Sequence, residues 1–108
     1  MEWSERAARN ESLFREVNER IASAGSGFEA TELKVICECS VTSCAETFEI
    51  DVGDYETVRE HGDRFAVLPG HVDPDVERVV EDRGKFVVVE KRGPGADVAR
   101  RLDPRSRS

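Results

Sequence analysis

The chain has 108 residues, 38% hydrophobic and 36% charged, and 23 acidic against 16 basic side chains give a formal net charge of −7. That length leaves room for one small core, since single domains commonly run about 100–150 residues. No stretch approaches the roughly 18 apolar residues of a membrane span, residues 1–24 lack a signal-peptide-like apolar run, and the acidic balance argues against general nucleic-acid binding, which needs clustered Lys and Arg.

These features predict one cytoplasmic domain over residues 1–102, with no membrane association. The charge is uneven, −12 over residues 1–82 and +5 over residues 83–108. Residues 103–108 read as a disordered basic tail.

Residues 1–24 predict a helix. Trp3, Ala7, Asn10, Phe14, Val17, Ile21 and Ala24 recur at alternating steps of four and three and so form one stripe. Glu2 with Arg6, Glu5 with Arg9, Glu11 with Arg15 and Glu16 with Arg20 are acid-before-base pairs at i,i+4, which support an exposed helical face. Gly25-Ser26-Gly27 should end it. The stripe has two readings: a homodimer through a short coiled coil with Asn10 at a seam position, or packing on the domain's own sheet.

Residues 32–39 and 47–52 alternate apolar and polar and predict a hairpin whose connection carries the cysteines. Residues 55–61 predict a two-turn helix capped by Asp54 and ended by Gly62. Residues 64–68 read as a strand stopped by Pro69-Gly70. Residues 74–80 suit helix or strand, and a single turn at Asp73-Pro74-Asp75 followed by a strand over residues 77–82 fits better beside Arg83-Gly84 and the β-branched run of residues 85–91. Residues 97–102 suit a last short helix. The order predicts an α+β fold, an N-terminal helix with a small antiparallel sheet.

Cys37, Cys39 and Cys44 are all three cysteines of the chain and lie within eight residues. Clustered thiols in a chain without a secretion signal point to metal or redox chemistry rather than a structural disulfide. Two apart on a strand, Cys37 and Cys39 face the same way, and the following turn can bring Cys44 beside them. Three thiolates want a fourth ligand, and zinc in a tetrahedral Cys₃His set is the expectation.

His71 follows a Pro-Gly bend that could aim its ring at the hairpin end, whereas His61 is explained by a helix C-terminus, so the predicted metal set is Cys37, Cys39, Cys44 and His71. An iron–sulfur cluster would use four cysteines. A thiol redox sensor is the alternative, disfavoured because Glu38 and Glu46 are neighbours that raise a thiol pKa. A catalytic zinc would need an open position, with Glu38 or Glu46 as base.

The segment from Asn10 to Ile21, the Cys-Glu-Cys cluster with Cys44, Pro69-Gly70-His71, Glu77-Arg78-Val79-Val80 and Val87-Val88-Val89-Glu90-Lys91 together resemble a group of short actinobacterial-type proteins of uncharacterised function. The resemblance covers most of residues 10–91 and implies that the three cysteines and the histidine belong together. It implies no activity. One departure is the connection Ser40-Val41-Thr42-Ser43, poorer in Gly, Asp and Pro than the group's pattern. The functional expectation is a small non-enzymatic zinc-binding domain that serves as a regulatory module or interacts with another protein.

Overall fold

Alternation and turn chemistry organise the chain locally, and a computed structural model describes residues 3–26, 31–41 and 44–107. Helix α1 (Trp3–Ser26) leads to strands β1 (Glu32–Ile36) and β2 (Thr47–Asp51), then α2 (Val52–Val58), β3 (Arg64–Val67), β4 (Glu77–Asp82), β5 (Val87–Lys91), α3 (Pro94–Arg101) and a 3₁₀ turn over Pro104–Arg107. The fold is α+β, and its strands divide between two antiparallel sheets, β1-β2 and β3-β5-β4. Glu2, Gly27, Thr42, Ser43 and Ser108, on which sequence expectations were also placed, lie outside the described residues.

Strand alternation follows the register. Leu33 pairs with Ile50 and Val35 with Phe48, all four buried on one face of the hairpin. Strand β5 is central in its sheet, and Val87, Val88 and Val89 are all buried, as expected for a strand covered on both faces. Phe48 stacks on Phe86 at 5.4 Å between ring centroids and ties the two sheets into one core. The turn at residues 74–76 followed by β4 agrees with the preferred reading of residues 74–80.

Three boundaries differ from expectation. Helix α2 begins at Val52, so Asp54 sits inside its first turn and pairs with Arg83 at 2.5 Å instead of capping. Helix α3 starts at Pro94, whose fixed φ and missing N–H suit a first helical position. The predicted disordered tail instead continues as the 3₁₀ turn. There Asp103 is buried against Arg59, and Arg105 reaches Glu19 at 2.9 Å and Glu56 at 2.7 Å. These partners are 44 to 86 residues away in sequence, beyond the reach of any local pattern.

The largest departure concerns α1, which packs on α3 and β1. Its buried face carries Ala7, Ala8, Glu11, Ser12, Arg15 and Asn18, while Val17 of the predicted stripe is 40% exposed and Leu13 is 62% exposed. Glu16 and Arg20 lie 4.0 Å apart on the surface as an i,i+4 pair. Glu11 and Arg15 do not pair with each other outside the core. Both are fully buried, and each reaches elements far along the chain.

Arg15 donates to the carbonyls of Gly62 and Ala99, both at 2.7 Å, and its guanidinium lies 4.5 Å from the centre of the Phe65 ring. Those two carbonyls follow α2 and belong to α3, so one side chain joins three helical elements. A guanidinium suits this place because it keeps its charge, offers several donors in a plane and stacks on aromatic faces.

Glu11 meets Lys91 and Glu77 in a fully buried cluster. The Lys91 Nζ lies 2.6 Å from Glu11 and 3.2 Å from Glu77. The Glu11 contact falls outside hydrogen-bond geometry, and Glu77 also accepts the Asp73 N–H at 3.0 Å. Two buried carboxylates against one ammonium leave a net negative charge unless one proton is retained. Burial, and next the neighbouring Glu77, push the Glu11 pKa well above the usual carboxylate range.

A raised folded-state pKa means that the native protein holds a proton which the unfolded chain releases. This contribution to stability is full below the unfolded carboxyl pKa of about 4.3 and is lost as pH rises towards the folded value. Substituting Glu11→Gln should therefore flatten the fall of stability above about pH 5, where one differential proton is worth about 1.4 kcal/mol per pH unit. Urea unfolding of both proteins across pH 5–8 checks this, and parallel profiles would refute it.

Candidate metal centre

Hairpin alternation carries one residue beyond β1, where the Cys37 N–H donates to the Glu46 carbonyl at 2.9 Å. The strand itself ends at Ile36, short of the predicted residue 39, because the chain leaves β2 and runs beside β3. There the Glu38 N–H donates to the Ala66 carbonyl at 2.9 Å. The extended backbone turns Cys37 and Cys39 to one side and Glu38 to the other.

Glu38 anchors this segment. Its carboxylate is fully buried and accepts from the Asn18 side-chain amide at 2.7 Å, the Ala66 N–H at 3.0 Å and the Tyr55 hydroxyl at 3.2 Å. Burial raises its pKa, opposed by the bonds from Asn18 and Ala66 and by the nearby charges of Arg59 and Arg15.

Helix α1 supports the same segment along the edge of β1 that β2 leaves unpaired. The Asn18 amide donates to the Ile36 carbonyl and accepts the Ile36 N–H, both at 2.8 Å, in place of a neighbouring strand. Asn10, the expected seam residue, donates to the Ser40 carbonyl at 3.3 Å.

The fourth group arrives on a tight turn. Pro69 and Gly70 occupy its centre, Gly70 has φ 87°, and the His71 N–H donates to the Leu68 carbonyl at 3.0 Å. These are the marks of a type II turn, in which Pro favours the first central position and positive φ favours Gly at the second. The turn directs the His71 ring at the cysteines: its Nδ1 lies 3.6 Å from the Cys37 Sγ and 3.7 Å from the Cys44 Sγ.

The potential ligand atoms of Cys37, Cys39, Cys44 and His71 all lie within 4.8 Å of one another. Tetrahedral zinc with Zn–S near 2.3 Å and Zn–N near 2.0 Å requires sulfur–nitrogen edges of about 3.6 Å. The donor set therefore fits a metal ion in both chemistry and spacing.

A further feature suits a bound thiolate: the Leu68 N–H donates to the Cys37 Sγ at 3.2 Å. Burial nevertheless pushes the Cys37 thiol well above its usual pKa and raises that of Cys39 too, with Cys44 a smaller contributor in each case. Free of a cation they stay protonated, and a bound cation reverses that preference by stabilising the thiolates. All three cysteines are free, so no disulfide competes for the sulfurs.

The structure brings all four predicted residues together. His61 lies apart from them, exposed in the turn after α2, where its carbonyl accepts the Arg64 N–H at 3.2 Å. Of the two carboxylates considered as bases, Glu38 is sealed on the opposite side of the strand from the thiols. Glu46 instead places its carboxylate 3.1 Å from the His71 Nε2.

Sequence reading missed Asn10 and Asn18 as supports of the cysteine segment. A weak signal was present for Asn18, because a helix-disfavouring amide amid a helical run needs a partner to justify it. Among the described residues no helix is long and apolar enough to cross a membrane. Comparison with family models, with curated proteins and with solved structures finds no match to this chain.

Proposed function

We propose that this protein is a small zinc-stapled domain that acts without catalysis, as a regulatory module or through association with another protein. The observation that carries the reading is the convergence of three sulfurs and one imidazole nitrogen within 4.8 Å of one another, two of the sulfurs at 3.6 and 3.7 Å from the nitrogen. Four protein donors close the shell of a tetrahedral ion and leave no position for a reactive water, as in structural zinc sites. The cation joins the hairpin to the turn after β3, where a core of this size gains from a cross-link.

Redox sensing by the cysteines finds less support. A reactive thiol needs a lowered pKa and access, whereas Cys37 and Cys39 are buried with raised pKa values.

Elemental mass spectrometry of protein purified under reducing conditions without added metal tests the reading. The expected result is about one zinc per chain, with affinity falling by more than about 100-fold in His71→Ala, beyond the usual effect of losing an outer partner. Protein free of metal whose thiols oxidise reversibly would replace this reading with the redox sensor.

A further inference from the structure

A histidine ligand must present a bare nitrogen to its metal, and neutral imidazole has one N–H and one lone pair. Which nitrogen is bare depends on what the other one bonds. His71 turns Nδ1 towards two thiols, and its Nε2 faces the Glu46 carboxylate at 3.1 Å. We propose that Glu46 is the positioning residue of the metal centre: it holds the proton of His71 on Nε2, and so keeps Nδ1 free and aimed at the cation. This assignment rests on the metal-centre reading above.

Two observations set Glu46 apart from a chance surface acid. Its backbone carbonyl accepts the Cys37 N–H at 2.9 Å while its carboxylate lies 3.1 Å from the His71 Nε2, so one residue touches two of the ligands. The pair is also too exposed to be held by charge alone, with 26% of the His71 and 64% of the Glu46 side chain accessible. Exposed ion pairs contribute little by themselves. A cation on Nδ1 would polarise the ring, make Nε2–H a better donor and favour a hydrogen bond to the carboxylate beside it. The gain thus appears in metal affinity rather than in folding of the metal-free chain.

The test uses the full chain in four forms: wild type, Glu46→Ala, His71→Ala and the double substitution. Zinc affinity is read by competition with a chromophoric chelator, and the absorption spectrum of the cobalt(II) form reports the number of thiolates and the geometry. Glu46→Ala is expected to weaken zinc 10–100-fold while the saturated cobalt spectrum stays tetrahedral. Glu46→Gln should recover most of the loss, because its amide oxygen accepts the same Nε2–H. In the His71→Ala background the Glu46→Ala substitution should change affinity less than twofold, since Glu46 acts through the ring.

Affinity of Glu46→Ala within twofold of wild type would overturn the assignment. So would an equal loss in both backgrounds, which would mark a general structural effect. Zinc uptake by wild type with either of these outcomes removes the role of Glu46 alone. A wild type that takes up neither zinc nor cobalt removes the metal-centre reading together with it.

Discussion

Removing the cation from the reduced protein is expected to lower its thermal midpoint by more than 20 °C or to abolish cooperative unfolding, as measured by circular dichroism with and without a strong chelator. Structural zinc binds small folded modules with about 10–16 kcal/mol of apparent free energy, against a net stability of roughly 5–15 kcal/mol for a whole domain. The cation would therefore account for most of what keeps the domain folded. The proposed ligands are also placed to matter: Cys37 and Cys39 are part of the main core, and His71 stands on a separate turn 32 or more residues away by chain number.

Cys44→Ser isolates ligation from packing, because Cys44 is only partly buried and Ser fills nearly the same space. It should reproduce most of the effect of chelation. Binding must displace protons from thiols whose pKa values burial has raised, so affinity should fall further as pH is lowered. A midpoint shift under about 3 °C on chelation would show that the core stands without the metal.

The second large effect is expected from Glu38→Ala, with a loss of about 3–5 kcal/mol, the range found when one partner of a buried charged network is removed. The substitution leaves the Ala66 N–H and the Tyr55 hydroxyl without their acceptor and opens a void between them. It also removes the negative charge that Arg59 and Arg15 face across the core. An unmet buried donor costs about 1–3 kcal/mol, and two of them reach the expected range without further terms.

Glu38→Gln keeps one acceptor oxygen in place and should cost about half as much. Its new amide hydrogens meet donors on Asn18 and Tyr55 and prevent full recovery. Urea unfolding measures both variants, and a loss below about 1 kcal/mol for Glu38→Ala would refute the anchoring role. Because Glu38 separates Cys37 from Cys39, zinc affinity should fall along with stability.

These two predictions address residues that are adjacent in sequence and were legible to different degrees. The thiol cluster is visible directly, since three cysteines within eight residues are uncommon and period-two geometry puts Cys37 and Cys39 on one side. The same geometry turns Glu38 to the other side, but sequence does not say whether that side meets water or protein. It meets the Asn18 amide of α1 and the Tyr55 hydroxyl of α2, and a surface acid becomes a buried anchor. His71 was likewise legible because Pro-Gly prescribes its own turn geometry. Its pairing with Glu46 was not, since the two stand 25 positions apart and only the fold makes them neighbours.

The sequence by itself determined the elements whose cause is local: the alternating strands, the Pro-Gly turn before His71, the hairpin between β4 and β5, and a long helix at the start. Tertiary structure alone decided which face of α1 is buried, how the strands divide between two sheets, and where the last residues lie. The physical reason is the same in each case. Apolar periodicity locates a core face only when apolar burial dominates, and α1 buries Glu11, Arg15 and Asn18 because Lys91 lies against Glu11 as its counter-charge and the Ala99 and Ile36 carbonyls accept from Arg15 and Asn18. A buried polar group is tolerated where its hydrogen bonds are met, and those bonds come from residues that only the folded chain brings into reach.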